Sequence, residues 1–256
     1  MASERQDHTE NSPWWGEHVH RYHLALKHMS PADKVLDIAC GNGFGSYLLS
    51  EKTHGDVIGG DISDESITYC KSAFKNKSNL RFEKIDGTQI PYSDGYFDLI
   101  VSFETIEHTL KYREMLFEFK RTLKDGGVAI ISTPNIVVNS PMGKVLNPYH
   151  TQEFTYEELK TILKEVFSET AIFGQRYIRY QQTSLKNSIG QLIENMLYLR
   201  GIRKMPISLQ NRIMKAIIGK DMYPSPTDYD ITSEQRELLN CKTFFAYCIY
   251  CFIYKR

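Results

Sequence analysis

What this chain lacks narrows its function before any motif is read. It has no net charge: 31 basic side chains balance 31 acidic ones, so no global field draws in nucleic acid or a membrane surface. It has no basic segment followed by an apolar core near its start, so a secretory leader is not expected and a cytoplasmic location is. Its longest apolar stretch, Thr243 to Tyr254, is about twelve residues, too short to cross a bilayer as a helix, and reads as a strand. Cysteines are few and odd in number: the five sit mostly in apolar runs and read as reduced, buried thiols. Cys248-x-x-Cys251 lies in an alternating strand pattern whose odd spacing sends the two thiols to opposite faces, against a metal or redox pair. There is no internal repeat and no low-complexity tract. What remains, 41% hydrophobic and 24% charged over 256 residues, suffices to bury one large core, with or without an insertion.

The most informative run is Val35-Leu36-Asp37-Ile38-Ala39-Cys40-Gly41-Asn42-Gly43-Phe44-Gly45-Ser46. An apolar strand breaks there into three alternating glycines and turns straight into a helix. Glycine is needed where the chain turns tightly and where a ligand lies directly on the backbone. A second strand, Asp56 to Ile62, carries Asp61 at its end, a position from which a carboxylate accepts hydrogen bonds from both ribose hydroxyls. A third strand-like run, Leu80 to Ile85, leads into Asp86. The dinucleotide fingerprint requires glycine at position 46, where this chain has Ser46, which argues against an NAD-dependent oxidoreductase.

Three acid-terminated strands with glycine loops between them resemble the class I S-adenosylmethionine-dependent methyltransferases, over residues 34 to 167. A fourth stretch, Ile90 to His108, is similar to that family's fourth strand and the site that follows it. The resemblance implies S-adenosylmethionine as cofactor. It places Asp37 at the amino end of the methionine moiety, with Ala39, Gly41, Gly43 and Gly45 beneath it and the following helix, 45–52, presenting its positive end to the carboxylate. It places Asp61 on the ribose, Ile62 against the adenine, Asp86 and Gly87 at the adenine amino group, and Phe103 and Glu104 on the cofactor at the end of the fourth strand. Arg21, on a helix similar to the family's N-terminal lid, is expected over the cofactor carboxylate.

Residues 1–12 are polar and aperiodic, and a mobile N-terminus is expected there; residues 13–256 would form the enzyme domain. A helix is predicted from Trp14 to Met29, ending before Ser30-Pro31. Strands over 34–39, 56–62, 80–85, 97–103 and 127–133 alternate with helices over 45–52, 64–75 and 109–123, a pattern that predicts an α/β fold with a mainly parallel sheet. Thr155-x-x-Glu158 is a capping box opening a helix that buries Leu159, Ile162, Leu163 and Val166. The resemblance completes this as a Rossmann-like sheet of seven strands, the last antiparallel. Its two closing strands, 171–177 and 244–254, are separated here by a helical insertion at about 178–243, with helices over 184–199 and 207–218 and a Pro- and Asp-containing loop over 223–231. From Gln175 to Asp221 the chain carries nine Lys or Arg against two Asp or Glu. That face is solvated, or a homodimer surface, or a contact for an anionic acceptor or a membrane surface.

A sulfonium methyl is already activated, so the main work is in-line alignment and exclusion of water, and a general base matters most for a hydroxyl acceptor. His108, in Glu104-Thr105-Ile106-Glu107-His108, is the first candidate base; His150 is the second, with Glu107 and Tyr22 behind them. The segment Asn147 to Thr155 resembles one found in methyltransferases of saccharides, which points to a hydroxyl of a sugar, nucleotide-sugar or surface-glycan acceptor. Quinones, phenols and amines are the alternative acceptors, and a non-catalytic cofactor-binding protein is a further one. His18, His20 and His23 suggest a metal only superficially, since just two share a helix face and no carboxylate completes the set; no metal is expected.

Overall fold

Strands β1 (Val35–Ile38), β2 (Val57–Asp61) and β4 (Phe97–Phe103) are buried along almost every residue, as strands covered on both faces must be. The computed structural model describes residues 14–140, 142–179, 188–189, 192, 207–221 and 223–249. In it β2 and β4 flank β1 in parallel register, β3 (Leu80–Lys84) joins β2, and β5 (Leu123–Pro134) joins β4, again in parallel. The last strand, β8 (Thr243–Ile249), lies between β5 and β6 (Glu169–Tyr177) and runs antiparallel to both. The sheet order is β3-β2-β1-β4-β5-β8-β6-β7. The chain leaves β1 for β2 on one side and returns to β4 on the other, so the topology switches direction between β1 and β4, where open α/β sheets bind their ligands.

This Rossmann-like α/β sheet is the expected one, with eight strands among the described residues in place of seven. The additional strand, β7 (Tyr229–Thr232), falls at the end of the stretch read as a loop. Pro224 and Pro226 dominate the local signal there, and a four-residue strand is too short to show an alternation against it. Helices begin and end close to their predicted bounds: α1 (Trp15–Leu26), α2 (Phe44–Ser50), α3 (Asp64–Ala73), α4 (Tyr112–Thr122), α5 (Tyr156–Val166) and α6 (Ile207–Ile218). The helix predicted over 184–199 lies, apart from 188, 189 and 192, outside the described residues, as do residues 1–13 and the chain beyond Ile249.

Contacts divide the chain into two compact units. In the first, which holds 21–176 and 231–249, successive strand residues feed two cores on opposite faces of the sheet. Leu36, Ile38, Ile58 and Ile100 pack with Met115, Leu116 and Phe119 of α4 and with Leu159, Ile162, Leu163 and Val166 of α5. Val35, Val57, Leu99 and Val101 pack with Leu24, Ala25, Leu49, Ile67 and Cys70. The second unit includes 14–20, 207–221 and 223–230. There Asp228 accepts the Ser225 N–H at 2.9 Å, pairs with Lys220 Nζ at 3.0 Å and has Arg179 Nε at 3.8 Å.

The basic stretch is partly neutralised within the protein: besides Arg179 and Lys220, Lys215 pairs with Asp221 and Arg176 with Glu237. Lys186, Arg200, Arg203 and Lys204 lie outside the described residues. No helix among the described residues is long and apolar enough to cross a membrane. Cys40, Cys70 and Cys241 are buried and free of disulfides.

The capping box of α5 is formed in both directions: Thr155 Oγ1 accepts the Glu158 N–H at 3.3 Å and Glu158 Oε2 accepts the Thr155 N–H at 2.9 Å. Thr155→Ala is expected to destabilise the protein by about 1 kcal/mol, read as a lower denaturation midpoint at unchanged slope.

Candidate active site

Beyond Ile38 the backbone enters the left-handed region three times in five residues, at Ala39 (φ 61°), Gly41 (φ 57°) and Gly43 (φ 79°). One other non-glycine among the described residues does so: Glu104 (φ 49°), immediately after β4. Both strained residues therefore stand at the ends of the two strands that border the switch point. Such strain persists only where the surroundings enforce it, and it concentrates at functional sites.

The three glycines of the loop differ in what requires them. A Cβ on Gly45 would stand 1.8 Å from the Tyr22 ring, and one on Gly43 would stand 2.7 Å from Phe82; one on Gly41 would meet nothing within 4 Å. Gly43 and Gly45 are thus needed by the protein's own aromatic rings, and Gly41 is the one whose bare Cα faces open space. Tyr22 crosses Gly45 to reach Asp37, donating at 3.3 Å, while Ser46 Oγ donates to the same carboxylate at 2.7 Å. The serine that breaks the dinucleotide pattern thus has a partner of its own. Asp37 is 1% exposed, and burial lifts its pKa to about 7 against the opposing pull of the Ser46 and Tyr22 hydrogen bonds, with the nearby Asp61 charge adding to the rise. Burial, with Asp37 beside it, likewise holds the Tyr22 phenol well above its usual range, which suits a donor and not a base.

Asp61 is half-buried and clamps the loop: Oδ2 accepts the Gly41 N–H and Oδ1 the Ser63 N–H, each at 2.9 Å. Ile62 beside it is 66% exposed, an apolar side chain just past the carboxyl end of β2. Asp86 is exposed and turns back on Thr88, whose N–H and hydroxyl it accepts at 2.9 and 2.7 Å; those bonds hold its pKa below the ordinary value. A Cβ on Gly87 would press on the Met115 methyl at 2.3 Å. Phe103 packs edge-on to Tyr22 at 4.9 Å.

Arg21 is buried. Its Nε donates to Gln175 Oε1 of β6 at 2.9 Å, Nη2 donates to Thr243 Oγ1 of β8 at 3.3 Å, and Nη1 lies 3.4 Å from Glu104 Oε1. The same Glu104 oxygen accepts from Ser132 Oγ of β5 at 2.8 Å.

Past β4, a 3₁₀ turn (Ile106–His108) presents Glu107 and His108. The segment carrying His150 is fastened to that turn: the Glu107 carbonyl accepts the Thr151 N–H at 2.8 Å and its hydroxyl at 2.9 Å, and Gln152 Nε2 donates to the Thr109 carbonyl at 2.9 Å. The three candidate bases, 43 residues apart at the extremes, consequently meet: the His108 and His150 rings stand edge to face at 4.9 Å, and one ligand-type atom from each of Glu107, His108 and His150 lies within 4.8 Å of the others. His108 Nδ1 is 3.0 Å from the Tyr149 carbonyl, which can only accept, so Nδ1 carries the proton and Nε2 the lone pair. His150 Nδ1 meets Glu153 Oε1 at 2.8 Å and its Nε2 accepts from Asn147 Nδ2 at 2.9 Å. Glu107 is fully buried; Oε2 accepts from Thr133 Oγ1 at 2.8 Å and Oε1 has no hydrogen-bond partner. Burial and the neighbouring Glu104 charge raise its pKa well above the carboxylate range. The supporting residues Thr133, Ser132 and Glu153 were not singled out from the sequence; only Glu153, three residues after His150, had a local spacing that could have shown it.

Known proteins are similar to this chain in sequence and in fold. A family profile described as "Methyltransferase domain" matches residues 29–198. A Mycolicibacterium smegmatis protein named "Probable S-adenosylmethionine-dependent methyltransferase" is 30% identical over 156 residues, covering 60% of this chain and 59% of its own length. Phosphoethanolamine N-methyltransferase 3 of Arabidopsis thaliana is 35% identical over 105 residues, 41% of this chain and 21% of that one. The chain therefore spans less than two thirds of the length of these curated relatives. The solved structure of YcgJ from Bacillus subtilis has the same fold, with a TM-score of 0.57 at 19% identity over 91% of this chain and 99% of that one.

Proposed function

From the premise that this chain belongs to the class I S-adenosylmethionine-dependent methyltransferases, through the methyltransferase domain that residues 29–198 match, we propose that it transfers the sulfonium methyl in line to a hydroxyl of a sugar, nucleotide-sugar or surface-glycan acceptor. The observation that carries this reading is the convergence of Glu107, His108 and His150 directly after β4. A cofactor-binding protein without an acceptor has no use for such a cluster. In this reading Gly41 lets the methionine moiety lie on the loop, Asp37 faces its ammonium, Asp61 takes the ribose and Ile62 covers the adenine. Asp86 and Gly87 bind the adenine edge, and Ala39, Phe103 and Glu104 wall the crevice. Arg21 acts from beneath, holding Glu104, in place of the direct contact with the cofactor carboxylate that its helix position suggests. His108 Nε2 takes the hydroxyl proton as the carbon–oxygen bond forms.

An amine acceptor is the second reading, favoured by the Arabidopsis relative named for N-methylation. Incubation with labelled S-adenosylmethionine, offering fractionated saccharides beside phosphoethanolamine, separates the two: fragmentation mass spectra assign the added methyl to oxygen or to nitrogen, and label on nitrogen alone overturns the hydroxyl reading. A thermal-shift comparison of S-adenosylhomocysteine with NADH tests the cofactor, since a ligand of the folded state raises the melting temperature.

Asp37 supplies a pH signature. Its folded pKa of about 7 stands above the ordinary aspartate value of 3.8, so its contribution to stability is complete below the unfolded pKa and is lost as pH rises through about 7. The cofactor ammonium favours the ionised form, so binding below about pH 7 releases a proton, and affinity climbs with pH to about 7 and then levels off. Calorimetry with S-adenosylhomocysteine in buffers of different ionisation enthalpy measures that proton; no release at pH 6 rejects the placement of Asp37.

A further inference from the structure

We infer that Glu107, His108 and His150 form a binding site for one divalent first-row transition cation. The three donors come together from a 3₁₀ turn and a segment tied to it by hydrogen bonds to the Glu107 carbonyl. Proximity alone would not suffice, and the second shell supplies the independent argument. Metal-bound imidazoles nearly always donate their other N–H to a carbonyl or carboxylate, which fixes the tautomer and aims the remaining nitrogen at the ion. Both histidines meet this condition: His108 Nδ1–H is held by the Tyr149 carbonyl and His150 Nδ1–H by Glu153, itself anchored by Ser140 Oγ at 2.9 Å. Both lone pairs then lie on Nε2. Glu107 is positioned in the same manner, one oxygen fixed by Thr133 and the other buried with no hydrogen-bond partner.

Glu104, Glu107 and Glu153 gather three carboxyl groups around the two imidazoles, with Arg21 beside Glu104. His108 is exposed, which gives an ion access. Asn147, which donates to His150 Nε2, lies in the loop before it and must release that bond when the ion arrives.

Two imidazoles and one carboxylate suit zinc, cobalt or iron, and not magnesium or calcium, which take oxygen donors. Three protein ligands also leave a coordination position open. The consequence rests on the methyl-transfer reading: an acceptor hydroxyl in that position is acidified and gives its proton to solvent. Its oxygen then forms the C–O bond as the C–S pair returns to sulfur, leaving S-adenosylhomocysteine. With the cation bound, His108 activates the hydroxyl through the ion it holds; without the cation, its Nε2 takes the proton directly, so either way the loss of His108 removes the activation.

The test uses the untagged full chain, stripped by chelator and titrated with Co²⁺. The expected result is one cobalt per chain with visible d–d absorption, displaced by Zn²⁺, and X-ray absorption showing two imidazoles. Glu153→Gln is expected to weaken binding about 10- to 100-fold, and Glu107→Gln and His150→Asn at least as much, whereas His23→Asn leaves it unchanged. Stoichiometric cobalt that fails to appear, an adduct without two imidazoles, or binding lost in His23→Asn overturns the site; the spectra need no variant to fold. Affinity for S-adenosylhomocysteine, measured alongside, separates the two readings. A protein that binds it but no cobalt loses only the cation site, and one that binds cobalt but not it loses only the methyl-transfer reading.

Discussion

Alanine at His108 is expected to lower kcat by about two to four orders of magnitude while the affinity for S-adenosylhomocysteine hardly changes. The split follows from where the residue sits. It lies past β4 on the 3₁₀ turn, oriented by the Tyr149 carbonyl, whereas the glycine loop follows β1 and Asp61 ends β2. Alignment of donor and acceptor survives the substitution, and positioning alone can supply roughly 7 to 11 kcal/mol, so residual turnover is expected. What disappears is the group that relieves a hydroxyl of its proton. The size of the effect also reports on the acceptor: a neutral amine attacks first and sheds its proton afterwards, so the same variant costs an N-methylation far less. Initial rates at saturating cofactor measure kcat, and calorimetry measures binding; an undiminished kcat removes His108 from the mechanism.

The parts of this molecule that were legible in the sequence are those whose causes are local. Val35 to Gly45 could be read because a buried strand, glycines at left-handed positions and a helix start follow one another within a dozen residues. The capping box at Thr155 and Glu158 is a three-residue pattern, and it formed. The glycine loop was legible in position and less so in cause. Gly43 and Gly45 are required by Phe82 and Tyr22, rings that arrive from other elements. The sequence also offered no sign that Arg21 would be held by Gln175 and Thr243, each more than 150 residues away. Glu107, His108 and His150 were named separately as possible bases; that they meet depends on Thr151 and Gln152 bonding to the turn, a tertiary event that periodicity does not encode. Strand β7 was hidden because prolines beside a four-residue strand read as a loop.

Asp61→Ala is expected to weaken cofactor binding by about 1.5 to 3 kcal/mol, the scale of a hydrogen bond to a charged group, or roughly 10- to 150-fold in Kd. Two losses combine in it. In the free protein the carboxylate already accepts the Gly41 and Ser63 N–H groups, one on each oxygen, and each oxygen keeps a second lone pair for a ribose hydroxyl. Removing the side chain therefore takes away ribose contacts and also releases Gly41, the loop residue whose Cα faces open space. Asp61→Asn separates the two contributions. One of its termini becomes an NH₂ that must face a backbone N–H, so an asparagine nearly as damaging as alanine shows that the clamp on the loop dominates, whereas a mild asparagine effect places the loss on the ribose. Calorimetric titration of both variants with S-adenosylhomocysteine, beside denaturation curves that register the loosened loop, gives the comparison. A Kd equal to that of the unaltered chain in both variants would remove Asp61 from the cofactor site and leave it as a structural clamp.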